Sequence, residues 1–316
     1  MERRPTRPVS GQRIKPRALH AGATIGVVSP SAAIDREHLE RGVRALEGLG
    51  YRVKISRHAL ERAAIVAGPD EVRAGELQNF FADPGVDAIF AARGGYGAGR
   101  ILPLLDFAAI ARAPKIFMGF SDATFLLNAL VGRAGMVCFH GPMVAMDFAR
   151  GVSEESLIHL RSLLSGDLPR FQLPARAALR PGSAEGEVIG GCLSMVAAAL
   201  GTPYEPPFDG AILFLEDTGE KAYRIDRMLV QLGQAGVLAR VAALVFGALR
   251  PPDGSEAERR LIGECVAERT AQLDCPVLEG LEAGHGSRNF ALPFGVRARV
   301  DAAACTLEIL ESAVAG

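Results

Sequence analysis

From residue 23 onward, short apolar runs alternate with amphipathic stretches. Residues 23–28 predict a strand that runs into a loop. Residues 36–51 predict a helix ending at Gly48 or Gly50, because four apolar side chains recur there at helical spacing: Leu39, Val43, Leu46 and Leu49. The same alternation predicts further strands at 52–56, 88–92 and 115–120 and helices at 70–82 and 122–135. Strands that are apolar throughout are typical of a parallel sheet covered on both faces, so the pattern predicts an α/β fold.

The pattern changes at residues 168–186, which are proline-rich and have little periodicity. This stretch predicts a linker or a long surface loop. Beyond it, apolar runs, two helical patterns at 221–236 and 255–273 and an alternating segment at 296–311 predict a smaller second domain of mixed α/β type. The resulting division is a disordered basic tail at 1–17, an N-terminal α/β domain at 18–167, a linker at 168–186 and a C-terminal domain at 187–316.

Composition excludes several classes of protein. The 316 residues are 49% hydrophobic, which suffices for a large core, and 35 basic residues against 36 acidic ones give a net charge of −1. So small a net charge produces only a weak electrostatic field. Together with the absence of Trp, it argues against binding to nucleic acid or to a membrane surface. Five cysteines without a Cys-x-x-Cys pair indicate neither a disulfide framework nor a zinc site. With no apolar signal-peptide core or long apolar span, we expect a soluble cytoplasmic protein.

The sharpest local feature is Gly119-Phe120-Ser121-Asp122, at the end of a predicted strand and the start of a helix. A tight strand-to-helix turn exposes a serine hydroxyl, and the helix N-terminus offers backbone N–H groups to a developing oxyanion. The second glycine of a G-x-S-x-G elbow is missing here. An ordinary helix N-cap formed by Ser121 explains the segment equally well.

A nucleophilic serine needs a general base and an acid that orients the base. Of the six histidines, His285 is the best candidate base, because glycines on both sides allow the backbone to present the imidazole. His140, at a strand end, is a second candidate. The remaining histidines lie in polar surroundings, where solvation explains them: His20, His38, His58 and His159.

Two candidate acids, Glu216 and Asp217, end the apolar strand at 211–217. Carboxylates at the end of a buried strand lie where sheet-edge active sites are usually found. A turn formed by Asp217 and the Thr-Gly that follows is the alternative explanation.

A glycine-rich loop follows the strand at 88–92 and contains Gly94 and Gly95. A dinucleotide or phosphate loop is excluded by spacing: Arg100 stands where a third glycine belongs, and no Lys-Ser/Thr pair follows Gly99. A backbone oxyanion donor or a substrate clamp needs no such spacing and fits the loop as well. No metal-ligand spacing and no cofactor motif is visible.

Five motifs occur in one order along most of the chain: RGGYG at 93–97, GFSD at 119–122, FLED at 214–217, YRIDRML at 223–229 and GHG at 284–286. This set resembles the LD-carboxypeptidase family of serine peptidases, also called muramoyltetrapeptide carboxypeptidases, whose relatives include microcin C self-immunity peptidases. The resemblance extends from about residue 23 to about residue 310.

The resemblance implies roles for individual residues. Ser121 looks like the family's nucleophile, Glu216 like its acid and His285 like its general base. Gly94 or Gly95, together with the backbone N–H of Asp122, would form the oxyanion hole. It also implies an N-terminal domain similar to glutamine amidotransferases, a smaller C-terminal domain, a catalytic triad assembled between the two, and a homodimer without cofactor.

The implied substrate is a cytoplasmic muropeptide in which the L-centre of a diamino acid is joined to a terminal D-alanine, so that the reaction belongs to the recycling of cell-wall fragments. One alternative is an immunity-type peptidase that cleaves aminoacyl-nucleotide analogues and stacks the base on an aromatic side chain. The absence of Trp, and of any aromatic residue at 175–191, disfavours it. A second alternative is a nonenzymatic α/β protein that binds a small molecule, with Ser121 as a helix cap.

Overall fold

The computed structural model describes residues 12–286 and 288–316. The strands, in chain order, are β1 (Thr24–Val28), β2 (Arg52–Ile55), β3 (Ala88–Ala91), β4 (Ile116–Gly119), β5 (Cys138–His140), β6 (Phe171–Pro174), β7 (Ala177–Arg180), β8 (Ser183–Cys192), β9 (Ile212–Thr218), β10 (Ala243–Arg250), β11 (Val277–Glu279), β12 (Leu292–Phe294), β13 (Arg297–Asp301) and β14 (Thr306–Ile309).

The α-helices are α1 (Arg36–Gly48), α2 (Asp70–Ala82), α3 (Ala98–Ile101), α4 (Phe107–Arg112), α5 (Thr124–Ala129), α6 (Glu154–Ser165), α7 (Leu193–Ala199), α8 (Ala222–Gln234) and α9 (Glu256–Thr270). Short 3-10 or π turns lie at Leu102–Leu104, Ser121–Ala123, Leu130–Ala134 and Val144–Phe148.

The first sheet has the order β12-β5-β4-β3-β1-β2, and β1 to β5 are all parallel. Strands β1, β3 and β4 are buried along their whole length, as their uninterrupted apolar sequences predict. Strand β2 lies at the sheet edge and is largely exposed, which suits its Arg52 and Lys54 side chains. The predicted α/β fold with an N-terminal parallel sheet is confirmed.

The second sheet has the order β6-β14-β13-β8-β9-β10-β11-β7 and is mixed. Its centre, β8 to β11, is parallel, while β13, β14, β6 and β7 add antiparallel strands. The alternating segment at 296–311 is the antiparallel pair β13–β14, as its pattern predicts. The expectation of a linker or long surface loop at 168–186 is wrong, because this stretch contains β6, β7 and the start of β8. Strand β6 pairs with β14 and β7 pairs with β11, and both partner strands lie more than 90 residues further along the chain.

The expected disordered tail at 1–17 needs a partial correction. Residues 1–11 lie outside the described part of the chain. Residues 12–17 are docked: Ile14 forms a bridge with Met136, and Arg17 forms one with Ala315. The side chain of Arg13 is only 9% exposed and makes an ion pair with Glu187 at 2.6 Å.

The expected C-terminal domain at 187–316 also needs a correction, because β12 pairs with β5 and so belongs to the first sheet. Side chains of α5 join the two sheets as well. Asn128 donates to the Gly190 carbonyl at 2.7 Å, and Thr124 Oγ1 accepts from the Cys192 N–H at 3.0 Å. Because Cys192 on β8 pairs with Glu216 on β9, the carboxyl ends of β4 and β9 are held close together. Within the described residues, no helix is long and apolar enough to cross a membrane.

Candidate active site

Ser121 lies in a sharp turn between β4 and α5. Its φ of +61° is unusual for a residue other than glycine. The residue before it, Phe120, is extended, and no side chain caps the 3-10 turn or α5. The N-cap explanation of Ser121 is therefore wrong. A serine held at positive φ at a strand-to-helix turn has the geometry of a nucleophile elbow.

The glycine-rich loop after β3 packs directly on this elbow. A Cβ atom on Gly94 would lie 2.7 Å from Ser121 Cβ and 2.8 Å from its Oγ, so only glycine fits there. Gly95 has a φ of +104°, and its Cβ would lie 2.7 Å from Ala32 Cβ. Gly94 thus lies directly against Ser121, whereas a Cβ on Gly95 would point toward the loop that follows β1.

Two buried side chains hold this loop in place. The carboxylate of Asp122 is 2% exposed and accepts the Ala98 N–H at 2.7 Å, which ties the elbow to the loop. Arg73, on α2, is also 2% exposed and donates to the Gly97 carbonyl at 2.9 Å and to the carbonyl of Pro30. Local sequence patterns do not single out Arg73, because a charged residue in an amphipathic helix pattern gives no sign of burial.

Glu216 and His285 form the second half of the site. Glu216 Oε2 lies 2.7 Å from His285 Nδ1 and also accepts the backbone N–H of His285 at 3.0 Å. Glu216 is fully buried, and the His285 side chain is 19% exposed. A Cβ on Gly284 would lie 2.5 Å from the Glu216 carboxylate, so the glycine before His285 permits this approach.

Asp217 points away from this pair, as the alternation of a strand predicts. Its carboxylate accepts the Ser194 N–H and the Thr218 N–H, each at 2.8 Å. Burial raises the pKa of Asp217, although the backbone N–H groups oppose that shift. Glu216, and not Asp217, therefore faces His285.

The surroundings adjust the protonation of both partners. Burial tends to raise the pKa of Glu216, but the imidazoles of His140 and His285 outweigh it and hold that pKa at about 2. Burial tends to lower the pKa of His285, but the carboxylates of Glu216, Asp217 and Asp147 leave it raised. Glu216 is therefore an anion at neutral pH and stabilises a proton on His285.

Phe120 brings the elbow and the pair together. Its ring centroid lies 4.7 Å from that of His285, and Ser121 is the next residue in the chain. Between the described residues no hydrogen bond joins the Ser121 hydroxyl to the His285 ring. Such bonds are often long in ligand-free enzymes and tighten when substrate binds. The structure therefore places Gly94, Ser121, Asp122, Glu216 and His285 at one site.

Two other histidines differ from expectation. His140, the second candidate base, is fully buried at the end of β5, with Nε2 3.8 Å from Glu216 Oε1. Its burial keeps it from contact with substrate. His159, predicted to be solvated, instead packs between Phe171 and Phe290 and makes a hydrogen bond to the Ala291 carbonyl at 3.0 Å.

Comparison with known sequences gives close relatives along nearly the whole chain. The chain is 40% identical to a putative carboxypeptidase of Streptomyces coelicolor, over 94% of this chain and 96% of the relative. It is 36% identical to a probable murein peptide carboxypeptidase of Bacillus subtilis, over 93% and 94%.

Solved structures show the same fold. A muramoyltetrapeptide carboxypeptidase from Oxalobacter formigenes is 32% identical with a TM-score of 0.80, covering 91% of this chain and 98% of that one. The microcin C7 self-immunity protein MccF, as an inactive mutant in the apo state, is 26% identical with a TM-score of 0.88, covering 96% and 100%.

Family models agree with these relatives. The model of the LD-carboxypeptidase N-terminal domain matches residues 25–141, and that of the LD-carboxypeptidase C-terminal domain matches residues 185–300. These matches confirm the resemblance inferred from the five motifs and remove the alternative of a nonenzymatic binding protein. The chain therefore belongs to the LD-carboxypeptidase family of serine peptidases.

Proposed function

We propose that this peptidase removes the terminal D-alanine from a murein tetrapeptide through an acyl-enzyme on Ser121. The observation that carries the proposal is the Glu216–His285 pair beside the Ser121 elbow, with Nδ1 of the imidazole 2.7 Å from the buried carboxylate. The names of two relatives support the substrate class, since they describe a murein peptide carboxypeptidase and a muramoyltetrapeptide carboxypeptidase.

His285 acts as the general base. Because its Nδ1–H donates to Glu216, the lone pair of Nε2 is free to accept the proton of the Ser121 hydroxyl. The serine oxygen then bonds to the carbonyl carbon of the scissile amide. The imidazolium returns the proton to the leaving nitrogen, and D-alanine departs. A water molecule, deprotonated by His285, hydrolyses the remaining ester and restores the serine.

Backbone N–H groups stabilise the tetrahedral oxyanion. One donor is the N–H of Asp122, which lies 3.2 Å from where a Gly94 Cβ would be. The second is the N–H of Gly95. The Gly94 carbonyl accepts the Ala32 N–H at 3.3 Å, and in a trans peptide the N–H of the following residue points the opposite way. Glycine at 94 leaves the room that the substrate carbonyl needs.

We also propose a cellular setting for this activity. Release of D-alanine from cytoplasmic muropeptides would place the enzyme in the recycling of cell-wall fragments, as a homodimer without cofactor. Size-exclusion chromatography with light scattering checks the oligomeric state.

The direct test is an assay in which purified protein receives, in separate reactions, a murein tetrapeptide that ends in D-alanine and its isomer that ends in L-alanine. We expect D-alanine to be released from the first and the L-terminal isomer to be cleaved at least about 100-fold more slowly, a difference of about 2.7 kcal/mol. Equal cleavage of both, or of neither, would contradict the proposed specificity.

The dependence of kcat/KM on pH follows from the raised pKa of His285. The base must be neutral to accept the serine proton, so kcat/KM should fall as the pH decreases through a value above the usual histidine pKa of about 6.5. In Glu216→Gln the carboxylate that favours the imidazolium is gone, and this acidic limb should move to lower pH. A limb at the same pH in both proteins would show that the pair does not set it.

A metal should not be required. Within the described residues, no group of three or more His, Cys, Asp or Glu side chains is placed to hold a metal ion. Dialysis against a chelator should therefore leave D-alanine release unchanged, with a zinc peptidase as the positive control. Loss of activity that zinc restores would mean that His285 and Glu216 are ligands.

Cleavage of aminoacyl-nucleotide analogues is the second candidate, favoured by the TM-score of 0.88 to the microcin C7 self-immunity protein. Against it, residues 175–191 hold no aromatic side chain for stacking on a base, and most of them lie in β7 and β8. Hydrolysis of an aminoacyl sulfamoyl adenosine with higher kcat/KM than the tetrapeptide would favour this second candidate.

A further inference from the structure

The carboxylate of Glu216 has one oxygen that the proposed mechanism does not use. Oε2 receives both hydrogen bonds from His285, whereas Oε1 is buried and lacks a hydrogen-bond partner among the described residues. His140 Nε2 lies 3.8 Å from Oε1, and neither nitrogen of that ring has a partner among the same residues. A buried, unpartnered polar atom is costly, and here three of them lie in one place.

The environment leaves the His140 ring little choice of position. Its backbone pairs with Gly119 on one side and with Leu292 on the other. Three phenyl rings surround the imidazole, with centroids 5.6, 5.2 and 5.6 Å away: Phe120, Phe214 and Phe294. Oε1 is thus a polar acceptor within reach in an otherwise aromatic cage. A shift of less than about 1 Å would bring the two atoms to hydrogen-bond distance.

We propose that His140 is a positioning residue, whose Nε2–H donates to Glu216 Oε1 and fixes the rotation of the carboxylate so that Oε2 stays on His285 Nδ1. The inference rests on the proposed function, because it assigns a task to His140 in the same triad. His140 transfers no proton and touches no substrate. It acts through the acid, in the way that outer hydrogen-bond partners orient the ligands of a metal.

Two substitutions separate the effect of the hydrogen bond that His140 donates from the effect of its packing. His140→Phe fills the aromatic cage but has no N–H, whereas His140→Gln places an amide N–H near the position of Nε2. We expect His140→Phe to lower kcat on the murein tetrapeptide by about 10- to 100-fold with KM changed less than about twofold, and His140→Gln to recover most of that loss. If His140→Phe does not fold, His140→Leu supplies the variant without a donor.

His159 supplies a matched control. It too is a histidine packed between phenyl rings, and its hydrogen bond goes to a backbone carbonyl away from the triad. His159→Phe should lower the melting temperature but leave kcat within about twofold of the wild-type value.

A second readout does not depend on peptidase activity. In proton NMR, the Nδ1–H of His285 bound to Glu216 should give a far-downfield resonance that disappears in His285→Asn. We expect this resonance to be lost or shifted in His140→Phe, present in His140→Gln and unchanged in His159→Phe.

If the wild-type protein cleaves no tetrapeptide but the resonance still depends on His140, the proposed function fails and the positioning role stands. Wild-type kcat and an unchanged resonance in His140→Phe would overturn the positioning role, as would equal losses in the Phe and Gln variants.

Discussion

Replacing Ser121 by alanine should lower the turnover of a murein tetrapeptide by at least about three orders of magnitude. In the proposed mechanism the hydroxyl oxygen bonds to the substrate carbonyl carbon, so without it the base and the oxyanion donors have no nucleophile to act on. Serine and alanine are about equally strained at the positive φ of residue 121. The substitution therefore adds no backbone strain, and the fold should remain intact. Release of D-alanine under saturating substrate measures the effect.

Ser153→Ala is the matched control for this substitution. The Ser153 side chain accepts the Ser156 N–H and caps α6, so its loss should cost about 1 kcal/mol of stability and leave kcat unchanged. Hydrolysis at the wild-type rate by Ser121→Ala would rule out the serine mechanism.

Changing Glu216 to glutamine should lower kcat by about two to four orders of magnitude with little effect on KM. The amide keeps the size of the side chain but removes the negative charge that stabilises the His285 imidazolium. It also presents an N–H group that favours the wrong imidazole tautomer. Steady-state kinetics on the tetrapeptide, with circular dichroism to confirm folding, measures this change.

Asp217→Asn is the control on the opposite face of the same strand. Asp217 accepts N–H groups from Ser194 and Thr218, and an amide oxygen replaces only part of that acceptance. The substitution should cost stability, about 1 kcal/mol, with kcat nearly unchanged. If the two variants show the reverse pattern, Asp217 is the acid.

Local sequence patterns predicted the elements that bury a continuous apolar surface. Strands β1, β3, β4 and β9 and helices α1, α2, α8 and α9 lie within a few residues of their predicted positions. The order of strand and turn also predicted that Ser121 and Glu216 end two buried strands. Helix α6 was indicated only by the helical pattern around His159 and was given no bounds, although its Ser153 cap, its acidic first turn and the left-handed Gly166 after its end are recognisable start and stop signals.

Features that depend on distant parts of the chain could not be predicted. Strands β6 and β7 are short and interrupted by prolines, and they exist because β14 and β11 offer them edges to pair with. His159 lies on the polar side of a helix pattern, but Phe171 and Phe290 cover it. The approach of His140 to Glu216 joins residues 76 positions apart, from 140 to 216, and no local pattern indicates it.

Covalent labelling with a fluorophosphonate probe, followed by peptide mass spectrometry, tests most directly whether Ser121 is an activated nucleophile. We predict a single adduct on the peptide that contains Ser121. The murein tetrapeptide should slow its formation, and Glu216→Gln should reduce its rate. A protein that cleaves the tetrapeptide yet stays unlabelled, or carries the adduct on another residue, would contradict the account.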